Sequence, residues 1–271
     1  MIRLALLLAC TAVLAACGGT AERSTTPSAA QPRLAAAPLG AVKPYERPGG
    51  IQAADGRSSY AIERGVLRRI SAVTGKPTKA YPLKGRWELT GVSATGDWVA
   101  LQRPRAAIKG VQIAVLDAAT GRRAHLIELG GDFRVETVST AGDFLFLQQN
   151  FVDGSYAVRG YDLAAGQMLP GSLGRKGQTV KMQGEPGQVV ASPDGRWLLT
   201  VYVETTTNTA FVHALNLIER NAICIFLPPC KRCGAEDWTL DLAADGRTLR
   251  ASNEKGGRAT IDLERRRVVE S

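Results

Sequence analysis

The chain has 271 residues and a formal net charge of +9, from 34 Lys and Arg against 25 Asp and Glu. That length accommodates one large domain or two small ones. With only two histidines, His125 and His213, imidazole chemistry has few places to reside, and neither a glycine-rich phosphate loop nor a metal-binding motif occurs in the sequence.

Met1-Ile2-Arg3 is a short charged start, Leu4 to Val13 is nearly unbroken apolar sequence, and Leu14-Ala15-Ala16-Cys17 follows, ahead of Gly18-Gly19. A basic start, a short apolar core and small residues before a cleavage point are the layout of a secretory signal. The run stops well short of the roughly 20 apolar residues of a membrane-spanning helix. Leu-Ala-Ala-Cys resembles the lipobox of bacterial lipoproteins, in which the cysteine thiol receives diacylglycerol and the signal is cut before it. The resemblance implies a signal peptide over 1–16, lipid on Cys17, and anchorage at the extracytoplasmic face of the cell membrane. Two acyl chains suffice for stable attachment. Cys10 also follows Leu7-Leu8-Ala9, but the apolar stretch between it and Arg3 is shorter than a signal core of about 7–15 residues.

Residues 17–48 read as a lipidated tether. They are rich in Ala, Pro, Ser and Thr and lack a sustained apolar period, so they cannot bury enough surface to offset their ordering entropy. Pro27, Pro32, Pro38, Pro44 and Pro48 stiffen the segment toward extended conformations.

Residues 49–271 carry an internal repeat. Ser93-Ala94-Thr95-Gly96-Asp97-Trp98, Ser139-Thr140-Ala141-Gly142-Asp143-Phe144 and Ser192-Pro193-Asp194-Gly195-Arg196-Trp197 share Ser, Gly and an aromatic at fixed offsets. Weaker copies stand at Ala53–Arg57 and Ala243–Arg247, and the five glycines fall 40, 46, 53 and 51 residues apart. A second marker follows in phase, as in Leu116-Asp117…Thr120-Gly121 and Tyr161-Asp162…Ala165-Gly166; its polar residue lies 15, 21, 20, 21 and 16 residues past the first glycine. Between markers run short β-prone stretches such as Trp197–Val203 and Phe211–Leu215. Four short strands per unit at this period are the signature of propeller blades. The spacing predicts an all-β fold: a single β-propeller of about five four-stranded blades, or six if Leu39–Pro48 contributes strands.

Ser192-Pro193-Asp194-Gly195-Arg196 resembles the turn of Trp-Asp-type and Tol-system propellers, and Leu116-Asp117-Ala118-Ala119-Thr120-Gly121 that of quinoprotein-type propellers. The chain lacks the Gly-His and Trp-Asp signatures of the first group and the tryptophan that follows Thr-Gly in the second. No cofactor is expected.

Cys230-Lys231-Arg232-Cys233 falls in an inter-blade loop, where a Cys230–Cys233 disulfide suits an oxidising compartment, with Cys224 a buried free thiol. A zinc site from His213, Cys224, Cys230 and Cys233 is the sharper alternative. Its ligand types fit tetrahedral zinc, but its spacing matches no common zinc module, so no metal site is assigned.

The longer connections carry Lys84, Arg86, Arg103, Arg105, Lys109, Arg175, Lys176, Lys181, Lys231 and Arg232. A basic loop face suits an envelope protein or an anionic ligand; the competing reading is that these charges reflect genomic base composition and only solvate a surface. Arg175, Lys176, Lys181, Lys231 and Arg232, on the connections Gly171–Gly187 and Pro228–Asp237, are the expected partner-binding edge of a monomer. Nucleic acid is not expected, because no interleaved aromatic platform accompanies the charges.

Two functions of different class therefore stand. One is a non-catalytic binding scaffold of the envelope, with no catalytic residues. The other is a propeller enzyme or small-ligand sensor whose central channel gathers Glu88, Glu136, Glu185 and Asp241, as the acid and base of a glycosidase would be gathered. Labelling cells with an acyl-chain analogue should mark the wild type and leave Cys17→Ser unmarked; equal labelling of both would remove the lipid anchor from either reading.

Overall fold

Short β-prone runs punctuated by turn residues fold as meanders in which every strand pairs antiparallel with its neighbour in sequence. A computed structural model describes residues 50–105, 109–176, 180–204, 206–230 and 232–270. Cys17, the signal segment 1–16 and the tether 17–48 lie outside the described residues, as does Lys231.

The first sheet is β1 (Ile51–Gln52), β2 (Ser58–Glu63), β3 (Val66–Ser71) and β4 (Pro77–Pro82). The second is β5 (Glu88–Val92), β6 (Trp98–Arg105), β7 (Gly110–Asp117) and β8 (Arg123–Gly130). The third is β9 (Asp132–Val138), β10 (Phe144–Asn150), β11 (Tyr156–Asp162) and β12 (Gln167–Met168), followed by a hairpin of β13 (Gly171–Ser172) and β14 (Arg175–Lys176). The fourth is β15 (Glu185–Ala191), β16 (Trp197–Glu204), β17 (Thr209–Asn216) and β18 (Asn221–Phe226). The fifth is β19 (Trp238–Leu242), β20 (Thr248–Asn253), β21 (Arg258–Asp262) and β22 (Arg267–Glu270). These are five propeller blades in tandem.

Each sequence marker is a turn with a physical job. In the first marker the glycine amide bonds back to the residue three earlier, as Gly96 N does to Ser93 O at 2.9 Å, with the glycine at φ +71°. That left-handed backbone costs a side chain about 1–2 kcal/mol, which selects glycine. The Ser93, Ser139 and Ser192 hydroxyls accept from the amides of Trp98, Phe144 and Trp197. Blades one and five have Ala53 and Ala243 instead, and Asp55 and Asp245 close the turn by accepting from the amides of Arg57 and Arg247. In the second marker Asp117 accepts from Ala119 N and Thr120 Oγ1. Blades four and five place Arg220 and Arg266 (φ +54° and +56°) where the earlier blades have glycine.

Apolar clusters join consecutive sheets. Tyr60, Leu67, Val99 and Leu116 fill the first seam; Ile113, Val115, Val135 and Leu147 fill the second. Phe144, Phe146, Tyr202 and Phe211 fill the third, and Leu199, Val212, Trp238 and Leu249 the fourth. Each such side chain contributes roughly 1.5–3 kcal/mol when fully buried. The far face of the fifth sheet is polar and exposed at Thr239, Asp241, Arg250 and Ser252.

Polar and stacking contacts reinforce the seams at the turns. Tyr81 Oη donates to Ala118 O at 2.6 Å, and the Tyr81 ring lies where a Cβ on Gly121 would be. The Trp98 ring lies against Gly142 in the same way. Arg220 pairs with Asp143 at 2.6 Å and stacks on Phe144 at 4.7 Å, and Arg266 pairs with Glu219.

Gly142 and Gly166 separate backbone strain from packing, since both have positive φ (+72° and +68°) but only Gly142 is crowded. Gly166→Ala should cost about 1 kcal/mol, and Gly142→Ala a further ~1–3 kcal/mol from displacing Trp98. Equal losses in chemical denaturation would show that the Trp98 contact does not hold the second seam.

Candidate functional site between the third and fourth blades

The third seam differs from the others in being aromatic and partly polar. Tyr202 pairs with Phe211 and Phe211 with Phe226 across neighbouring strands, a register that lines the three rings up on one face. Tyr156, from the third blade, stacks on Tyr202 with ring centroids 5.0 Å apart; Tyr202 lies 5.6 Å from Phe211, and Phe211 6.1 Å from Phe226. His213 joins the row from β17, 5.9 Å from Tyr202 and 6.4 Å from Tyr156.

Sequence reasoning treats Gly171–Gly187 as a long loop; the structure corrects this. Beyond β12 the chain keeps running beside β11, with Leu169 N bonding to Gly160 O, Leu173 N to Val158 O, and Met182 bridged to Tyr156 through two hydrogen bonds of 2.7 and 2.8 Å. The hairpin β13–β14 is an excursion from this interrupted strand, and Glu185–Gly187 already belong to β15. Gly174 in the hairpin turn packs on the backbone of Ala222 in β18. The excursion thus touches the outer strand of the fourth blade.

A cavity of about 400 Å³ opens beside this strand. Its floor is Met182, Phe211, Cys224 and Phe226, and its rim Asp153, Lys181, Gln183 and Glu204. Lys181 Nζ pairs with Asp153 Oδ2 at 2.8 Å and lies 4.4 Å from the Phe151 ring centre. That hydrogen bond, with those from Ser155, holds the Asp153 carboxyl well below the usual carboxylate range. Phe226 is 64% exposed, and Val152 and Val180, next to rim residues in the chain, are exposed as well.

Deeper in the seam, burial dominates the titratable groups. It pushes His213 down to about 4 and the Cys224 thiol up to about 11. Cys224 Sγ lies 3.3 Å from Met182 Sδ. Glu136 is the extra residue of a bulge in β9, because Thr137 opposes Phe146 and Val135 opposes Leu147. A bulge re-aims its side chain, and Glu136 bears electrostatically on Tyr156 and Tyr202. Burial raises its pKa, with Arg134 opposing the shift.

The other predicted residues have varied surroundings. Arg175 and Lys176 form β14. Arg232 has φ +62°, and its carbonyl accepts from Lys255, which also pairs with Asp237 at 2.7 Å. Lys181 and Arg232 therefore flank the fourth blade from its two neighbours. Cys230 and Cys233 bond to each other with Cα atoms 5.7 Å apart. Both are buried in the fourth seam beside Leu227, Ala235 and Trp238, which leaves Cys224 and His213 as the remaining pair of the zinc alternative. Glu88 lines a separate cleft with Arg86, Gln102 and Arg103. Glu185 and Asp241 are exposed on β15 and β19. The four channel carboxylates have four different settings.

Tyr156, Met182, Tyr202, Phe211 and Phe226 were not singled out by sequence. Each sits in an ordinary apolar run, and only the pairing of the two blades makes them one site.

No protein family and no curated protein matches the chain in sequence. Among solved structures, oligogalacturonate lyase from Vibrio parahaemolyticus is similar with a TM-score of 0.49 and 12% identity, over 82% of this chain and 64% of its own. This chain thus spans less than two thirds of that enzyme's length. A protein assigned as TolB from Agrobacterium tumefaciens has a TM-score of 0.47 and 16% identity, covering 82% of this chain and 79% of its own. Hydrazine synthase from Kuenenia stuttgartiensis has 0.42 and 14%, covering 83% and 80%. Function is therefore argued from the site alone.

Glu136 gives the seam a pH signature. Its pKa is raised on folding, so its stabilising contribution is present below the unfolded-state value and lost as pH rises through the folded-state value. Glu136→Gln should raise Tm at pH 7.5 and leave it nearly unchanged at pH 4. An equal change at both pH values would place Glu136 in a well-solvated position.

Proposed function

We propose that this propeller is a non-catalytic binding module, anchored to the cell membrane through lipid on Cys17 and facing the extracytoplasmic side, where its long-loop face takes an envelope protein. The cavity of the third seam carries this reading. An apolar floor, a charged rim and exposed apolar flanks are the composition of a recognition surface, in which a desolvated centre supplies affinity and a polar rim excludes water. Phe226 supports it most directly, since an aromatic ring left 64% exposed beside a concavity is the kind of group that patches for partners contain.

The partner that fits is an extended protein segment offering an apolar side chain to Met182, Phe211 and Phe226, with acidic residues beside it. The basic groups on either side of the fourth blade, Lys181 and Arg232, with Arg175, Lys176 and Lys231 on the same connections, steer such a segment by raising its local concentration. Burial of Cys230 and Cys233 in the fourth seam fixes the base of the second connection. A loop ordered beforehand loses less entropy on association.

In-cell crosslinking followed by mass spectrometry should capture the same partner with the wild type at all protein levels. Phe226→Ser should reduce capture by about tenfold, the effect of losing roughly 1.4 kcal/mol at a contact centre. Replacing Lys181, Lys231 and Arg232 together by Ser should weaken capture mainly at low salt, with Tm nearly unchanged. Undiminished capture by both variants would overturn the proposal.

A further inference from the structure

We propose that His213, Cys224 and Met182 form a binding site for a soft monovalent metal ion, of which cuprous copper is the natural example, in the wall of the third seam. The placement is dictated by strand register. His213 and Cys224 are direct cross-strand partners on β17 and β18, so their side chains leave the sheet on the same face with Cβ atoms about 4.5–5.5 Å apart. Met182 approaches from the third blade, held by its two hydrogen bonds to Tyr156, and brings its sulfur to 3.3 Å from Cys224 Sγ. Two sulfurs from two blades thus meet in the seam, with the imidazole on the strand position directly opposite one of them.

The second observation is at His213. The residue is 4% exposed, and its Nε2 makes no hydrogen bond among the described residues. Buried polar atoms are nearly always bonded, and leaving one unmade costs about 1–3 kcal/mol. A purely packing role for this position would be filled better by an apolar ring among Tyr156, Tyr202 and Phe211. An imidazole retained there with a vacant nitrogen is explained by a ligand that nitrogen accepts.

The donor set selects the class of ion. Thiolate and thioether sulfur with imidazole nitrogen suit cuprous copper, whereas magnesium, calcium and manganese seek carboxylate and carbonyl oxygen. Of the two rim carboxylates, Asp153 is already paired with Lys181. Zinc sites draw on thiolate, imidazole and carboxylate, not thioether. The ion has a route, because Met182 and Cys224 both line the open cavity. The ordinary thiol of Cys224 and the imidazole of His213 supply the sulfur and a nitrogen lone pair. Binding therefore forms the metal–sulfur bond as the S–H bond breaks, and the thiol proton passes to solvent, one per ion, with no change of oxidation state.

The test uses the full chain carrying Cys10→Ser and Cys17→Ser, so that Cys224 is the thiol left for metal. Silver(I) in chloride-free buffer is the air-stable probe. Copper(I) is kept reduced with ascorbate, which spares the Cys230–Cys233 disulfide, and is titrated against a chromophoric chelator. We expect one ion and one released proton per chain, a mixed sulfur and nitrogen environment in X-ray absorption, and a higher Tm in the bound form. Cys224→Ser should abolish binding, and Met182→Leu and His213→Gln should each weaken it at least about tenfold, or roughly 1.4 kcal/mol. Met182→Leu is conservative in volume and settles the matter if either other variant is poorly folded. Unchanged affinity in Met182→Leu, binding that survives Cys224→Ser, or zinc(II) competing on equal terms with silver(I) would overturn the assignment.

Discussion

The contact on which the rest of the structure depends is the packing of one blade's side chain into the bare backbone of the next blade's turn. Gly142 has φ +72°, and the ring of Trp98 occupies the space a Cβ would need. Gly121 does the same for Tyr81. A single small residue thus meets two demands, a left-handed backbone and a close approach, and neither could be relaxed without separating two sheets. Once these turns fix the angle between neighbours, alternating strands deliver Val, Leu and Ile to both faces and the seams fill.

The third seam departs from that scheme, and its chemistry follows from the departure. An interrupted outer strand, with its β13–β14 excursion, lies where the other blades have a plain edge. Aromatic rings replace aliphatic ones across the gap, and a bulge turns Glu136 into it. Polar groups inside a protein are expensive unless paired, yet this seam holds an unbonded imidazole nitrogen, a raised carboxyl and a thiol far from its ionised form.

Much of the frame was legible because turn chemistry is local. Ser139, Gly142 and Phe144 each act within six residues of one another, so their spacing survives in the sequence, and so does Asp117 with Thr120 and Gly121. The second marker was harder in the last two blades, since Arg220 and Arg266 occupy a backbone that glycine usually signals. The region 171–187 read as loop because Gly171, Gly174 and Gly184 break any alternation. The site itself was hidden for a different reason. Met182 meets Cys224 across 42 residues of chain and two sheets, and nothing local to either residue records the other. Glu136 was legible as an inner-strand carboxylate, but the bulge that diverts it adds a residue without changing composition.

The third blade's turn, Ser139 to Phe144, is gripped by side chains from both of its neighbours. On its N-terminal side Trp98 of the second blade leans forward onto Gly142; on its C-terminal side Arg220 of the fourth blade reaches back to Asp143 and covers Phe144. The first seam is likewise stitched by a side chain reaching forward, Tyr81, and the last by one reaching back, Arg266. Among these four turn contacts the direction of reach reverses here, as it does at the keystone of an arch. A local disturbance in three consecutive residues would be felt by both halves of the array at once, while the same disturbance at either end would be felt by one neighbour only.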